Sequence, residues 1–348
     1  MFRGESRTEQ PEEAGGSGAA GLPAPRREAA GEPAPRAVLS SAPRTVLSSA
    51  VAKVVRPRSG TRPGRDAPLV QRAAPAHPRL DTGAEREALR QHLTAARIAG
   101  EVATPRENNL RSYRMLADRE PRHLFGLEPD GHWDFRDVLR HMAVAVGVSP
   151  DPRHLHGPDR IDVERTLDRL DAYADRLAAA ALRRERLVLA TGHPGGLRTV
   201  YAALGRALAA AGCQLLTPAA DWGYQARTLR GDRDLRLRYV DGVAVLAEGT
   251  ELVHTHSARP VRAMLAALAR EGGPLPDLVI GDHGWAGGAG QAGIDTIGMA
   301  DSNDPALFVG EAEGLVSVVV PLDDNVAPVL YQPVTDYLLH RAGLWPRA

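Results

Sequence analysis

Asp277-Leu-Val-Ile-Gly-Asp-His-Gly-Trp-Ala-Gly-Gly-Ala-Gly-Gln-Ala-Gly-Ile-Asp-Thr-Ile-Gly-Met-Ala-Asp-Ser-Asn-Asp-Pro-Ala-Leu-Phe-Val-Gly-Glu311 decides how the chain is read. It scans as strand, polar loop, small-residue helix, strand, polar loop, helix. The apolar run Leu278–Ile280 ends in Asp282 and His283, and the run Thr296–Ala300 ends in Asp301, Asn303 and Asp304. In an open parallel sheet both loops fall at the carboxyl edge, where such sheets bind ligands. Carboxylates, an amide and an imidazole gathered there suit a metal ion and a polar substrate.

The same alternation extends outward. Arg186–Ala190 is a short apolar strand, followed by Thr191-Gly-His-Pro-Gly-Gly196 and a helix over Leu197–Ala211. A Gly-rich loop between strand and helix offers N–H groups to an anion, which makes Gly192 and Gly195 candidate phosphate contacts. The loop has neither the Walker ending nor the Gly-x-Gly-x-x-Gly pattern, so no dinucleotide is implied. Strands follow at Gln214–Thr217, Tyr239–Val245 and Thr250–Val253, then His254-Thr-His256. Residues i and i+2 of a strand share a face, so both imidazoles are candidate ligands of one transition-metal ion. A helix over Pro260–Glu271, a strand over Leu315–Val320 ending in Pro-Leu-Asp323-Asp324-Asn325, and a helix over Leu330–Arg341 complete the pattern. It predicts an α/β fold with a parallel, doubly wound, Rossmann-like sheet over 186–348.

Toward the N-terminus the reading changes. Residues 83–185 look all-helical, a cap in which Thr104 is an N-cap, Pro105 the first helical residue and Glu107 its capping partner. Arg106, Asn108 and Arg111 crowd the start of that helix. Arginine there is unfavourable unless an anion is near, so these three are candidate substrate clamps. His154 and His156 fall in a loop and are expected to be solvated. Residues 1–82 hold too few large apolar side chains to build a core and read as a disordered tail, with nine Arg/Lys against one acid, Asp66, between Arg36 and Arg79.

Forty-three basic residues balance 43 acidic ones, so global charge argues for neither nucleic acid nor membrane. No apolar run approaches the ~20 residues of a membrane span, and no apolar stretch follows Arg3 and Arg7, so a cytoplasmic location is expected. The single cysteine, Cys213, excludes an internal disulfide and a multi-Cys metal cluster.

Arg97-Ile-Ala-Gly-Glu-Val-Ala-Thr-Pro-Arg-Glu-Asn-Asn-Leu110, Ala190-Thr-Gly-His-Pro-Gly-Gly196, His254-Thr-His-Ser257, Asp282-His-Gly-Trp-Ala-Gly287, Ala300-Asp-Ser-Asn-Asp-Pro-Ala-Leu-Phe308 and Val320-Pro-Leu-Asp-Asp-Asn325 occur in that order. Over residues 86–341 they resemble an actinobacterial family labelled "phosphatase". The helical cap over an α/β domain with Asp and Asn ligands is also similar to the damage-control phosphatases. What the resemblance implies is phosphoester hydrolysis. Covalent routes lack their motifs: a Cys-x5-Arg loop would need Arg where Ala219 stands, and no Gly-x-Ser-x-Gly elbow occurs.

The reading is therefore a metal-dependent phosphatase acting on a small phosphorylated metabolite. Asp301, Asn303, Asp304, His254, His256 and Asp323 are candidate ligands of a divalent ion (Mg, Mn or another transition metal). Asp282, His283 and His193 are candidate catalytic groups. Asp282 or His283 serves as base or ligand, or Asp282 orients a His ligand. A metabolite-sensing module without turnover and a sugar-phosphate isomerase or lyase are the rivals, separated by metal dependence and product analysis.

Overall fold

In a computed structural model, residues 82–228 and 231–345 are described; the expected tail over 1–82 falls, but for its last residue, outside them. The organising feature is a mixed sheet in the order β11-β10-β9-β3-β7-β6-β5. Its strands are β3 (Arg186–Ala190), β5 (Gly223–Thr228), β6 (Gly231–Val240), β7 (Val243–Glu248), β9 (Leu278–Gly281), β10 (Thr296–Ala300) and β11 (Val318–Pro321). From β11 to β7 every pairing is parallel. Beyond β7 the sheet turns antiparallel, so the parallel pattern expected from sequence holds for β3, β7, β9, β10 and β11, while the stretch around Glu248-Gly249, read as a hairpin, pairs antiparallel. The cause of the reversal between β6 and β7 is local: Asp241-Gly242, both at positive φ, make a tight turn inside the stretch read as one strand, Tyr239–Val245. The short strands β4 (Gln214–Leu215) and β8 (Glu251–Val253) pair with β3 and β7.

Successive residues of β3 enter different cores. Leu187 and Leu189 join one buried cluster, and Val188 and Ala190 the other, as two-residue periodicity requires when both faces are covered. Helices α6 (Arg259–Arg270) and α7 (His283–Gln291) serve the second cluster. The first also holds α1 (Thr82–Ala95), α4 (Val163–Arg183), α5 (Arg198–Ala210) and α9 (Gln332–Arg341), and runs from Leu89 to Leu344. Residues 83–185 are not all helical. Strands β1 (Gly100–Pro105) and β2 (Pro158–Ile161) form a two-stranded antiparallel sheet. Helix α2 (Arg106–Ala117) accordingly begins one residue later than expected, with Pro105 as a cap lacking a side-chain hydrogen bond. Thr104 is thereby released for another partner. Helices α3 (Phe135–Ala145) and α8 (Pro305–Ala312) complete the set used below.

Candidate active site

Parallel strands β3, β9, β10 and β11 end side by side, so their following loops meet on one edge. They carry His193, Asp282 with His283, Asp301 to Asp304, and Asp323 with Asp324. The chain tightens around this edge through glycine. A Cβ on Gly192 would lie 2.2 Å from the Thr255 carbonyl oxygen, and one on Gly284 would lie 2.3 Å from that of His256. The histidine loop after β8 is thus pressed against the starts of two others. His254 and His256 lie in that loop rather than on a strand, yet they converge, with ring centroids 4.9 Å apart.

His283 is the hub. It begins α7 at φ +44°, a left-handed conformation that a non-glycine residue holds only under constraint and that clusters at functional positions. Its Nδ1 lies 2.8 Å from Asp282 Oδ1. Asp282 is fully buried and already accepts from the Thr191 hydroxyl (2.5 Å) and the Gly192 N–H (2.6 Å). These contacts place Asp282 where a carboxylate orients the ring of His283. The Gly192 N–H is committed to Asp282 and does not face a substrate, whereas Gly195 is exposed with open space above it.

The other ring nitrogen of His283, Nε2, looks toward Asp304 Oδ2 at 3.3 Å and Asp324 Oδ2 at 3.6 Å. Behind them sit Asp301, which accepts from the Thr104 hydroxyl and the Ser302 N–H, and Asp323, which accepts from the Ala103 and Asn325 N–H groups. Three sets of side chains each bring one ligand atom apiece within 4.8 Å: His254, His256, His283; then His283, Asp304, Asp324; then Asp301, Asp323, Asp324. Asn303, between Asp301 and Asp304, is half-buried. Asp324 is the residue the sequence reading passed over in favour of Asp323. The adjacent Asp pair at a strand end was its only signal.

Electrostatics mark the row as short of positive charge. Burial, then Asp324 and Asp323, push the Asp301 carboxyl well above its ordinary range, and burial raises Asp323 despite its two N–H donors. Burial opposes a charged His283, but Asp304 and Asp282 outweigh it and hold the imidazole well above its usual value. His193 is likewise raised: burial works against it and Asp324 overcomes that. His254 and His256 go the other way. Burial, reinforced by His283, lowers them to about 4 and about 3, so both are neutral near pH 7 and available as ligands or proton acceptors.

The expected clamps are placed elsewhere. Arg106 is completely buried, its guanidinium bound to Asp159 at 2.8 Å and to the carbonyls of His154 and Asp151. Asn108 and Arg111 lie exposed on α2, and it is Asn109, its neighbour, that points inward to Asp159 and Ser302. His156 is exposed as expected; His154 is half-buried. Beside His254 and His256 opens a cavity of about 710 Å³ whose walls include Arg122, Tyr224, Arg259 and Arg262. Arg259 stacks over the Tyr224 ring at 4.1 Å.

An α/β chain with carboxylates and imidazoles gathered on one strand edge has the arrangement at which open sheets of this kind bind ligands. The family described as Phosphatase matches residues 84–346. A protein of Streptomyces coelicolor named "Phosphatase SCO2771" is 49% identical over 261 residues, covering 74% of this chain and 97% of that one. The chain belongs to this phosphatase family, and the matched span holds every residue of the row. No helix among the described residues is long and apolar enough to cross a membrane.

Proposed function

We propose that the chain is a divalent-metal-dependent phosphatase that hydrolyses a monoester of a small phosphorylated metabolite. The observation that carries this reading is the row of buried carboxylates, Asp301, Asp304, Asp323 and Asp324, around His283. Among the described residues, no Lys or Arg pairs with any of the four; their ionic partners are His193 and His283 alone. Uncompensated buried carboxylates are costly unless a cation joins them, and one Asp324 oxygen, Oδ2, lacks any hydrogen-bond partner. The donors fit Mg, Mn or another first-row ion.

A divalent ion held here would polarise the phosphoryl oxygens and make a water molecule acidic enough to attack near neutral pH. The chain's own groups supply the rest. Asp282 fixes the tautomer of His283 and aims Nε2 at the row. Neutral His254 and His256 line the cavity wall, where each can serve as a ligand or accept a proton. Arg122, Arg259 and Arg262 give the cavity a positive wall for an anionic substrate.

The test is phosphate release from a panel of phosphometabolites by protein stripped of metal and resupplied with Mg, Mn, Co, Ni or Zn. Metal-restored release from one compound class is expected. Release that survives complete stripping would remove the metal from the reaction, and a rearranged product without free phosphate would favour an isomerase or lyase.

A further inference from the structure

Asp324 belongs to two of the three ligand sets at once. One joins it to His283 and Asp304, the other to Asp301 and Asp323. Its side chain is 8% exposed. Its Oδ1 lies 3.4 Å from His193 Nδ1, and its Oδ2 is a buried acceptor with no hydrogen-bond donor. We infer that Asp324 is a bridging ligand and that the site holds two divalent cations rather than one.

Charge leads to the same number. The four carboxylates of the row carry four negative charges when ionised, and no guanidinium or ammonium among the described residues pairs with them. One divalent ion leaves the buried row two charges short of neutrality. Two ions balance those four carboxylates with His283 neutral, the form in which histidine is a ligand, and leave the Asp282 charge to its hydrogen bonds with Thr191, Gly192 and His283. The shortfall that a single ion would leave in the buried row is strongly unfavourable.

The two positions are chemically unequal. Asp301, Asp323 and Asp324 present oxygen only, a hard set that suits Mg²⁺ or Mn²⁺. His283, Asp304 and Asp324 mix nitrogen with oxygen and suit Mn²⁺, Co²⁺, Ni²⁺ or Zn²⁺. His254 and His256 approach that second ion from the cavity side, with His256 and His283 stacked at 4.8 Å. Paired ions of this kind clamp both the attacking and leaving oxygens of an in-line displacement.

This inference rests on the metal-dependent reading, and the experiment separates the two. Metal-free full-length protein is titrated with Mn²⁺, and bound ions are counted by elemental analysis and electron paramagnetic resonance. Two ions per chain with an exchange-coupled spectrum are expected, because one carboxylate joins them. Saturation at one ion, or two magnetically isolated ions, overturns the bridge while leaving metal dependence standing. No bound ion overturns both. Asp324→Asn is expected to weaken both ions at least about tenfold and abolish the coupling, whereas Asp323→Asn weakens the all-oxygen position alone. The wild-type count decides the question even if a variant fails to fold.

Discussion

Ser302 separates two groups of buried carboxylates, and only one of them has a guanidinium. On the α2 side, Asp159 accepts from Arg106, from Asn109 and from the backbone N–H groups of Ser149 and Arg160. On the strand side, Asp301, Asp304, Asp323 and Asp324 are equally buried and meet only imidazoles, N–H groups and hydroxyls. Their physics differs: Asp159 carries its counter-charge within the fold, while among the described residues no Lys or Arg pairs with the row, whose ionic partners are imidazoles.

One conservative change made on both sides breaks that comparison most directly. Asp301→Asn keeps the shape and an acceptor for Ser302 but removes a ligand charge. Turnover is expected to fall by about 10³-fold or more, since metal ions contribute several kcal/mol to transition-state stabilisation. The melting temperature without metal should hold or rise, because a repulsive buried charge is gone. Steady-state kinetics and thermal melts check both halves, and near-normal turnover would remove Asp301 from the site. Asp159→Asn is expected to do the reverse. It strands a buried Arg106, which costs roughly 3–5 kcal/mol and lowers the melting temperature on the order of 10 °C. The folded fraction should keep its turnover within a few-fold. If both variants lose activity and stability together, the distinction between the groups fails.

Much of the strand side was legible in advance, and the reason is periodicity. Arg186–Ala190 is β3 residue for residue, β9 and β10 begin at Leu278 and Thr296 where the apolar runs begin, and β11 ends at Pro321, one residue past its run. Those runs place Asp282, Asp301 and Asp323 on one edge before any coordinates are known. Pairing within the row is a matter of tertiary distance, so the place of Asp324 in two of the ligand sets could not be read from order alone. The α2 side misled for a sharper reason. Arg106 does have an anion beside it, as its place at a helix start demanded, but the anion is Asp159, 53 residues away in sequence. Nothing local distinguishes a substrate phosphate from a distant carboxylate. The strands β1 and β2 carry few large apolar residues to announce them, whereas Tyr224-Gln-Ala-Arg227 in β5 does alternate and is simply short.

Acidity sharpens the contrast between the metal-free and metal-bound row. Asp301, Asp323, His193 and His283 hold protons more tightly in the fold than in the unfolded chain. Their stabilisation is complete below the unfolded values, about 3.8–6.5, and is lost as pH rises through the folded ones. His254 and His256, lowered to about 4 and about 3, contribute stability that is present above about 6.5 and lost as pH falls. The two trends oppose each other in acid, but above about pH 6.5 only the first operates. Metal-free protein should therefore melt at lower temperature as pH climbs from about 6.5 to 8.5, by about 1.4 kcal/mol per pH unit for each excess proton. Saturating Mn²⁺ should flatten the slope, since the ion takes the place of the protons. A metal-free melting temperature that rises over that window would contradict the assignment.

The smallest effect tests the boundary itself. The Ser302 hydroxyl is fully buried, 3.1 Å from Asn109 Oδ1 and 3.2 Å from Asp301 Oδ1, and Tyr113 donates to the Ser302 carbonyl at 2.7 Å. Among the described residues it is the one side chain that touches both groups through hydrogen bonds, linking the Arg106–Asp159–Asn109 cluster to Asp301 of the row. Ser302→Ala removes that link and no charge. The expected loss of stability is about 1 kcal/mol, well short of the Asp159→Asn effect, and divalent-ion affinity should fall about tenfold. Calorimetric titration with Mn²⁺ and a thermal melt measure the two quantities on one sample. Unchanged affinity would mean that the compensated cluster supports the fold but does not orient the site; a loss of stability matching Asp159→Asn would mean the two groups are one.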